Sequence, residues 1–396
     1  MNDDRKDTSS IRVIIQQNQI AHYRTRLFEL LSQNQEIRFI IVADTKSDTP
    51  FLKTFDGTEG RTIRYVQCDT KFIRIPGIPS ISWQPRGVRF IWHERPDLVI
   101  VMGSPYSLTA WLAGITGRIF GIPVIMWGHG LLKEESGPKW WIRRSLYRLA
   151  RGHLLYGDYA KRLLAARGFS ASTLYVVYNS LDLDAQDQVF AKITNDHRMA
   201  WRRQLGATPE DGVVIFTGRL QPAKRLDLLV LAVAHLAKKG KKVHVAVIGD
   251  GSEKESLMKL AAVHSIEKLM HFLGERYDEA YLGLALSSSD LSVVPSGAGL
   301  SIMHALTYGT PVLIHDRVEC HFPEWEAVKD GITGFYYRYG DVEDLAEKIS
   351  SAIFPVPARA HMADQCRNVI RTTYNPHRQV EIISAMVKEV LANSRK

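Results

Sequence analysis

The stretch Val293–Ile314, VVPSGAGLSIMHALTYGTPVLI, predicts a short apolar strand over Leu291–Pro295, a tight turn of small residues (Ser296, Gly297, Ala298, Gly299), a helix from about Leu300 to Tyr308 and a second strand from Val312. Gly309 stands where a helix C-cap belongs, and Pro311 cannot continue the helix. Small residues let a ligand approach the backbone closely. The helix behind them turns its unpaired N–H groups and the positive end of its dipole toward whatever sits there. Two readings stay open for this stretch alone: an anion site, or an ordinary strand-to-helix turn of an α/β domain.

Upstream, Val213–Asp227 (VVIFTGRLQPAKRLD) repeats the theme. An apolar strand ends at Gly218, and Arg219, Lys224 and Arg225 then cluster before a helix whose Leu228, Leu229, Leu231, Ala232 and Leu236 recur at helical spacing. Loops beyond strand ends are where open parallel sheets bind ligands. A guanidinium fork and a flexible ammonium suit a diphosphate, one by bidentate geometry and the other as a point charge. A lone basic loop would be read as solvated, but two such loops in one domain favour a phosphate-bearing ligand.

The order of strand, GRLxxxKR, helix, strand with GDG, then a PS and glycine-rich turn, helix and YGTPV resembles the C-terminal half of a retaining glycosyltransferase of family 4. The likeness covers Val213–Ile349 well and the N-terminal half more loosely, through WGHG (Trp127–Gly130) and NSLD (Asn179–Asp182). It implies an α/β chain with the GT-B fold, two Rossmann-like domains whose parallel sheets face across a cleft. The expected division is 1–195 for the acceptor-side domain and 196–370 for the nucleotide-sugar domain, with 371–396 as a terminal helix crossing back to the first.

The length, 396 residues, suits two full cores, since single cores seldom grow past about 250–300 residues. With 45% apolar and 23% charged residues the composition is that of a globular protein. Three scattered cysteines (Cys68, Cys320, Cys366) make no disulfide framework and suggest a reducing cytosol. The start, MNDDRKDTSS, lacks the basic and apolar regions of a signal peptide, and every apolar run falls short of the about 18 residues of a membrane span. A cytoplasmic protein, peripheral on the inner face of the membrane, is the resulting expectation.

The net charge of +9 is uneven: residues 1–195 hold 26 Lys and Arg against 18 Asp and Glu, while 196–396 hold 25 against 24. Much of the excess lies in Lys133–Arg167. There Trp140, Trp141, Leu146, Tyr147 and Leu149 interleave with Arg143, Arg144 and Arg148, the pattern of a basic amphipathic helix that lies on an anionic membrane. The alternative is a helix that packs its aromatic side and solvates its cations. No nucleic-acid recognition motif accompanies the charge.

In chain order, Ile11–Gln16 opens the first domain as a strand. His22, Tyr23 and Arg24 follow in a polar loop before a helix around Leu27–Ser32, placed to contact an acceptor or to lie on the surface. A strand over Ile37–Ala43 comes next. Thr45–Pro85 reads as irregular, punctuated by Gly57, Gly60, Pro76, Gly77 and Pro79. Pro96–Met102 and Ile122–Trp127 are further strands around a helix Ser107–Phe120, and Leu174–Tyr178 is the last. His129, between two glycines at a strand end, reaches a cleft on a bare backbone and would titrate near neutrality. By resemblance it is the catalytic-side histidine set over the donor sugar and phosphates; the plainer reading is a loop histidine bonded to a carbonyl. Asp184–Arg203 reads as an interdomain connection, and Pro355 and Pro357 mark a break before helices over His361–Leu391.

Gly249-Asp250-Gly251 is not a nicotinamide fingerprint, because the third glycine is replaced by Lys254, and no P-loop is present. His315, Cys320 and His321 match no common zinc spacing. The resemblance also shows departures. The two glutamates that most of the family places eight positions apart, toward donor sugar and ribose, correspond here to Ser296 and His304, and Cys320-His321 replaces a pair of glycines before Glu324.

The resemblance implies a metal-independent enzyme with no cofactor, using a nucleotide-diphosphate sugar and a glycan or lipid-linked glycan acceptor in cell-surface polysaccharide synthesis. Arg219, Lys224 and the N–H groups of Gly297, Ala298, Gly299 and Leu300 would hold the diphosphate; Ser296, His304 and Glu324 would hold sugar and ribose. A nucleotide-sugar epimerase and a non-catalytic binding relative are the alternatives.

Overall fold

The computed structural model describes residues 10–46, 54, 63–77, 79–354 and 359–394. Gly57, Gly60, Pro355, Pro357 and most of the polar N-terminal stretch lie outside them. Contacts divide the chain into two compact units, one of residues 1–182 with 376–396, the other of 183–375.

In the first unit seven parallel strands lie in the order Tyr65–Gln67, Ile37–Asp44, Ile11–Gln19, Leu98–Met102, Val124–Gly128, Gly152–Leu155 and Leu174–Val176. Both faces of this sheet are covered, which is why its central strands read as unbroken apolar runs. Val13 and Ile15 join Leu27, Phe28 and Leu31 of the helix Thr25–Ser32 with Ile383, Met386 and Val387 of the helix Pro376–Ser394. Ile14, one residue between, joins Ala110, Ala113 and Leu146 on the other face. The last helix is fastened by Gln379, which donates to the Tyr178 carbonyl at 3.0 Å and lies 2.5 Å from the Ser180 hydroxyl.

The sequence reading missed the strand Gly152–Leu155, four residues between two helices and too short for a period to show. It also missed the helix Pro85–Glu94 and the antiparallel pair Lys71–Ile73 with Ile81–Trp83, in and beside the segment read as irregular.

The second unit repeats the topology with six parallel strands, ordered Met270–Phe272, Val243–Ile248, Gly212–Thr217, Leu291–Val293, Val312–His315 and Gly334–Tyr337. The expected boundary near 195 moves to Leu183, because both connecting helices, Leu183–Phe190 and Asn195–Gln204, pack on the helix Glu279–Ser288. Arg202 on the second of them forms a buried pair with Asp290 at 2.8 Å and donates to the carbonyls of Asp211 and Ser288. Removing one partner of such a pair costs about 3–5 kcal/mol, so these helices are integral to the second core.

Candidate active site

Both sheets reverse strand order beside their first strand, and in open α/β sheets the crevice outside that reversal is where ligands bind. In the second unit the reversal separates Gly212–Thr217 from Leu291–Val293, so the loops that follow these two strands meet. The Lys224 ammonium donates to the Gly297 carbonyl at 2.5 Å. Gly297 has φ +60°, and an added Cβ would come within 3.5 Å of that ammonium. Desolvation and the Arg219 charge lower the Lys224 pKa. A cation with a depressed pKa beside a second cation is a site that gains from an anion. Arg219 itself is exposed and acts on Tyr277 as well.

Gly249-Asp250-Gly251, unassigned by sequence, supports the Arg219 loop. The Leu220 N–H donates to the Asp250 carbonyl at 3.0 Å and the Gly218 N–H to the Ile248 carbonyl. An alanine Cβ at Gly249 would sit 1.9 Å from the Gly218 carbonyl oxygen, and one at Gly251 2.3 Å from that of Leu220. The two loops stack backbone on backbone, with room for no side chain between them.

The glycine turn differs from expectation at one amide. Ala298, fully buried, donates its N–H to His321 Nδ1 at 3.1 Å and accepts from the Phe322 N–H at 2.8 Å. Its N–H is therefore taken and does not serve a phosphate; Gly297, Gly299 and Leu300 remain at the start of the helix Leu300–Thr307, which no side chain caps. His321, read from sequence as a departure, is thus a positioning residue for the turn. Its other nitrogen lies 3.1 Å from the His315 carbonyl, while His315 Nδ1 accepts from the Arg317 N–H. Burial pushes both histidines down to about 4, so they are neutral hydrogen-bonding groups at pH 7. Among the described residues no group of three His, Cys, Asp or Glu is placed to hold a metal ion.

His304 is also engaged differently. Its Nε2 lies 2.9 Å from Glu279 Oε1, which accepts at 2.7 Å from the Tyr308 hydroxyl and at 3.1 Å from Gln186. The nitrogen assigned to a ribose hydroxyl is occupied, and a carboxylate reaches this corner from another helix. Burial opposes the Glu279 charge, but hydrogen bonds and the His304 charge outweigh it and pull the pKa to about 2. Glu279 is a functional candidate that the sequence hid, since its partner lies 25 residues away. Ser296 is buried at the head of the turn, and Glu324 is buried in the short 3-10 helix Pro323–Ala327.

In the first unit, His129 follows the strand Val124–Gly128 and sets its ring edge-on to Tyr156, centroids 4.9 Å apart. Although the residue keeps an exposed face, crowding around the ring and the charges of Arg24 and Arg143 lower its pKa. It is neutral at pH 7 rather than titrating near neutrality. Tyr23 and Arg24 lie together, with the guanidinium 5.6 Å from the tyrosine ring centre, and His22 beside them is exposed. Two of the five expected membrane contacts are turned inward. Arg143 pairs with Glu135 at 2.7 Å, and Trp140 packs on Phe169 beneath Arg167. Trp141 stays 68% exposed, with Arg148 exposed and Arg144 half-buried.

Comparison with known proteins agrees with this frame. Residues 29–185 match the family described as Glycosyltransferase Family 4, and 197–369 match Glycosyl transferases group 1. A D-inositol 3-phosphate glycosyltransferase of Nocardia farcinica is 31% identical over 66% of this chain and 60% of its own length; the sulfoquinovosyl transferase SQD2 of Arabidopsis thaliana is 27% identical over 69% and 53%. The chain thus spans between about half and three-fifths of these relatives. The crystal structure of Anabaena Alr3699/HepE in complex with UDP superposes with a TM-score of 0.72 at 19% identity, covering 96% of this chain and 100% of that one. Two Rossmann-like units of this topology, matched in order by both families, define a GT-B protein. The chain belongs to the group 1 and family 4 glycosyltransferases.

Proposed function

We propose that this protein transfers a sugar, with retention, from a nucleotide-diphosphate sugar to a lipid-linked glycan in cell-surface polysaccharide synthesis on the cytoplasmic face of a membrane. The observation that carries the reading is the meeting of Lys224 with the Gly297 turn. Arg219 and Lys224 neutralise the diphosphate as it leaves, electrostatic stabilisation placed where charge develops, without a metal ion. Backbone N–H groups at the start of the helix Leu300–Thr307 add to it. The UDP and UDP-glucose complexes of HepE support such a donor. In the first unit, neutral His129 offers a hydrogen-bonding group to a sugar hydroxyl. The test is the thermal shift given by UDP and UDP-sugars: a clear rise in Tm is expected for the native protein and its loss in Lys224→Ala. An equal shift in both would move the donor site elsewhere.

Membrane attachment draws on a surface the sequence showed only in part. Beside the exposed Trp141 and Ile142, the neighbouring helix Leu108–Phe120 leaves Ile119 70% and Phe120 65% exposed, and Lys139, Arg144 and Arg148 lie on or at the end of the Trp141 helix. Exposed aromatic and aliphatic groups among cations suit an anionic lipid surface. Co-sedimentation with anionic vesicles should fall several-fold in the double variant Ile119→Ser, Trp141→Ser. Unchanged co-sedimentation would remove this face from the proposal.

A further inference from the structure

The first unit carries a cation that its own residues leave without a counter-charge. Arg24 ends the 3-10 turn His22–Arg24 beyond the strand Ile11–Gln19, at that sheet's own reversal point. Its guanidinium lies 5.1 Å from the Tyr156 ring centre, 5.3 Å from Trp127 and 5.6 Å from Tyr23, and it donates to the Tyr156 hydroxyl. No carboxylate pairs with it among the described residues. Three other inward-turned arginines are paired: Arg143 with Glu135, Arg202 with Asp290 and Arg367 with Asp187.

Aromatic faces attract a cation, but they cannot accept its in-plane N–H groups. Of five N–H donors the hydroxyls of Tyr156 and Tyr23 take two. A planar fork of donors, held by rings in a residue that is only partly buried, matches the two oxygens of a carboxylate or phosphate. The indole N–H of Trp127, on the ring next to the guanidinium, is buried and has no hydrogen-bond partner. His129, edge-on to the same Tyr156, is kept uncharged partly by Arg24, so the arginine's positive field is felt around it.

The geometry points to an oxyanion subsite: Arg24 in its cage of Tyr23, Trp127 and Tyr156, with His129 beside it, binds a phosphate or carboxylate carried by the acceptor. The acceptor of the transferase is then an anionic sugar or glycan. This rests on the transferase reading for the word acceptor, but the anion site itself does not.

The test uses the full chain carrying Arg219→Ala and Lys224→Ala, so that the cations of the second unit cannot answer for the first. The His129 ring signal, assigned by its loss in His129→Gln, is followed by NMR against pH with inorganic phosphate or acetate at constant ionic strength. Phosphate or acetate is expected to perturb it saturably and to raise its midpoint, since a bound anion offsets the Arg24 charge. Arg24→Gln should weaken that response at least tenfold and raise the midpoint with no anion present. Arg24→Lys, which keeps the charge and loses the fork, should fall between and serves where the glutamine variant folds poorly. A tenfold preference for one anion names the group the acceptor carries. A response of equal strength in the native residue and both variants, or no saturable response to either anion with Arg24 present, overturns the proposal. Nucleotide binding is not measured here, so its failure in the Lys224→Ala test and failure of this subsite are separate results.

Discussion

The two units share a topology and solve the same electrostatic problem in opposite ways. At the reversal point of the second, a flexible ammonium is tied to a backbone carbonyl, on loops built from glycines and stacked main chain. At the reversal point of the first, a rigid guanidinium is surrounded by rings, and its hydrogen-bond acceptors are phenols. The difference appears in the pKa values: burial and a like charge lower Lys224, while the surrounding phenols raise Arg24 against its burial. Main chain positions the ammonium by geometry; rings and their hydroxyls position a guanidinium, which stays charged at every pH the protein meets.

Three measurements can break or sharpen this contrast. The largest effect is expected from Gly249→Ala. Its methyl group would overlap the Gly218 carbonyl, forcing the stacked loops apart at a cost of about 3–5 kcal/mol, a scale set by strain and overpacking in closed sites. Chemical denaturation should show the loss together with the nucleotide thermal shift; a variant of native stability would mean that the loops are not held by their backbones. Tyr156→Phe comes next, removing the hydroxyl that Arg24 donates to while leaving the ring. A hydrogen bond to a charged group contributes about 1.5–3 kcal/mol, and the loss should confine itself to the first unit, with the nucleotide shift intact. No change in stability would make the cage purely a matter of ring faces.

Glu279→Gln should have the smallest effect and a pH signature. The folded-state pKa of about 2 lies below the ordinary glutamate value, so the stabilisation is present above pH 4–5 and disappears as pH falls toward 2. With the side chain 35% exposed, solvent screening reduces it to about 1 kcal/mol. The difference in Tm between native protein and variant should close on acidification; a constant difference would place the contribution in packing instead.

Much of this was legible in the sequence because it is local. The turn Ser296–Gly299, the strand ending at Gly218 and the basic pair that follows are each written in a dozen residues, and two such signals in one domain suffice to suggest an anion site. What escaped depends on pairings that residue type and spacing do not reveal. Arg143 reads as part of a lipid-facing stripe until Glu135 is seen beside it. His304 reads as a ribose contact until Glu279 arrives from another helix, and His321 reads as a lost glycine until the Ala298 amide is found to need it. The strand Gly152–Leu155 and the open stripe of the helix Leu108–Phe120 were hidden for another reason. Four residues show no period, and apolar residues left outside by the fold look the same in sequence as those taken in.

The helix Pro376–Ser394 completes the core begun by the strand Ile11–Gln19, while the second unit is continuous from Leu183 to Asn375. During synthesis the cluster of Phe28, Leu31 and Phe39 therefore lacks Ile383, Met386 and Val387 until the whole second unit has been made. The half emerging in between already holds all its own parts. The order of assembly is thereby inverted relative to the order of translation: the part made second is the first whose core residues are all present.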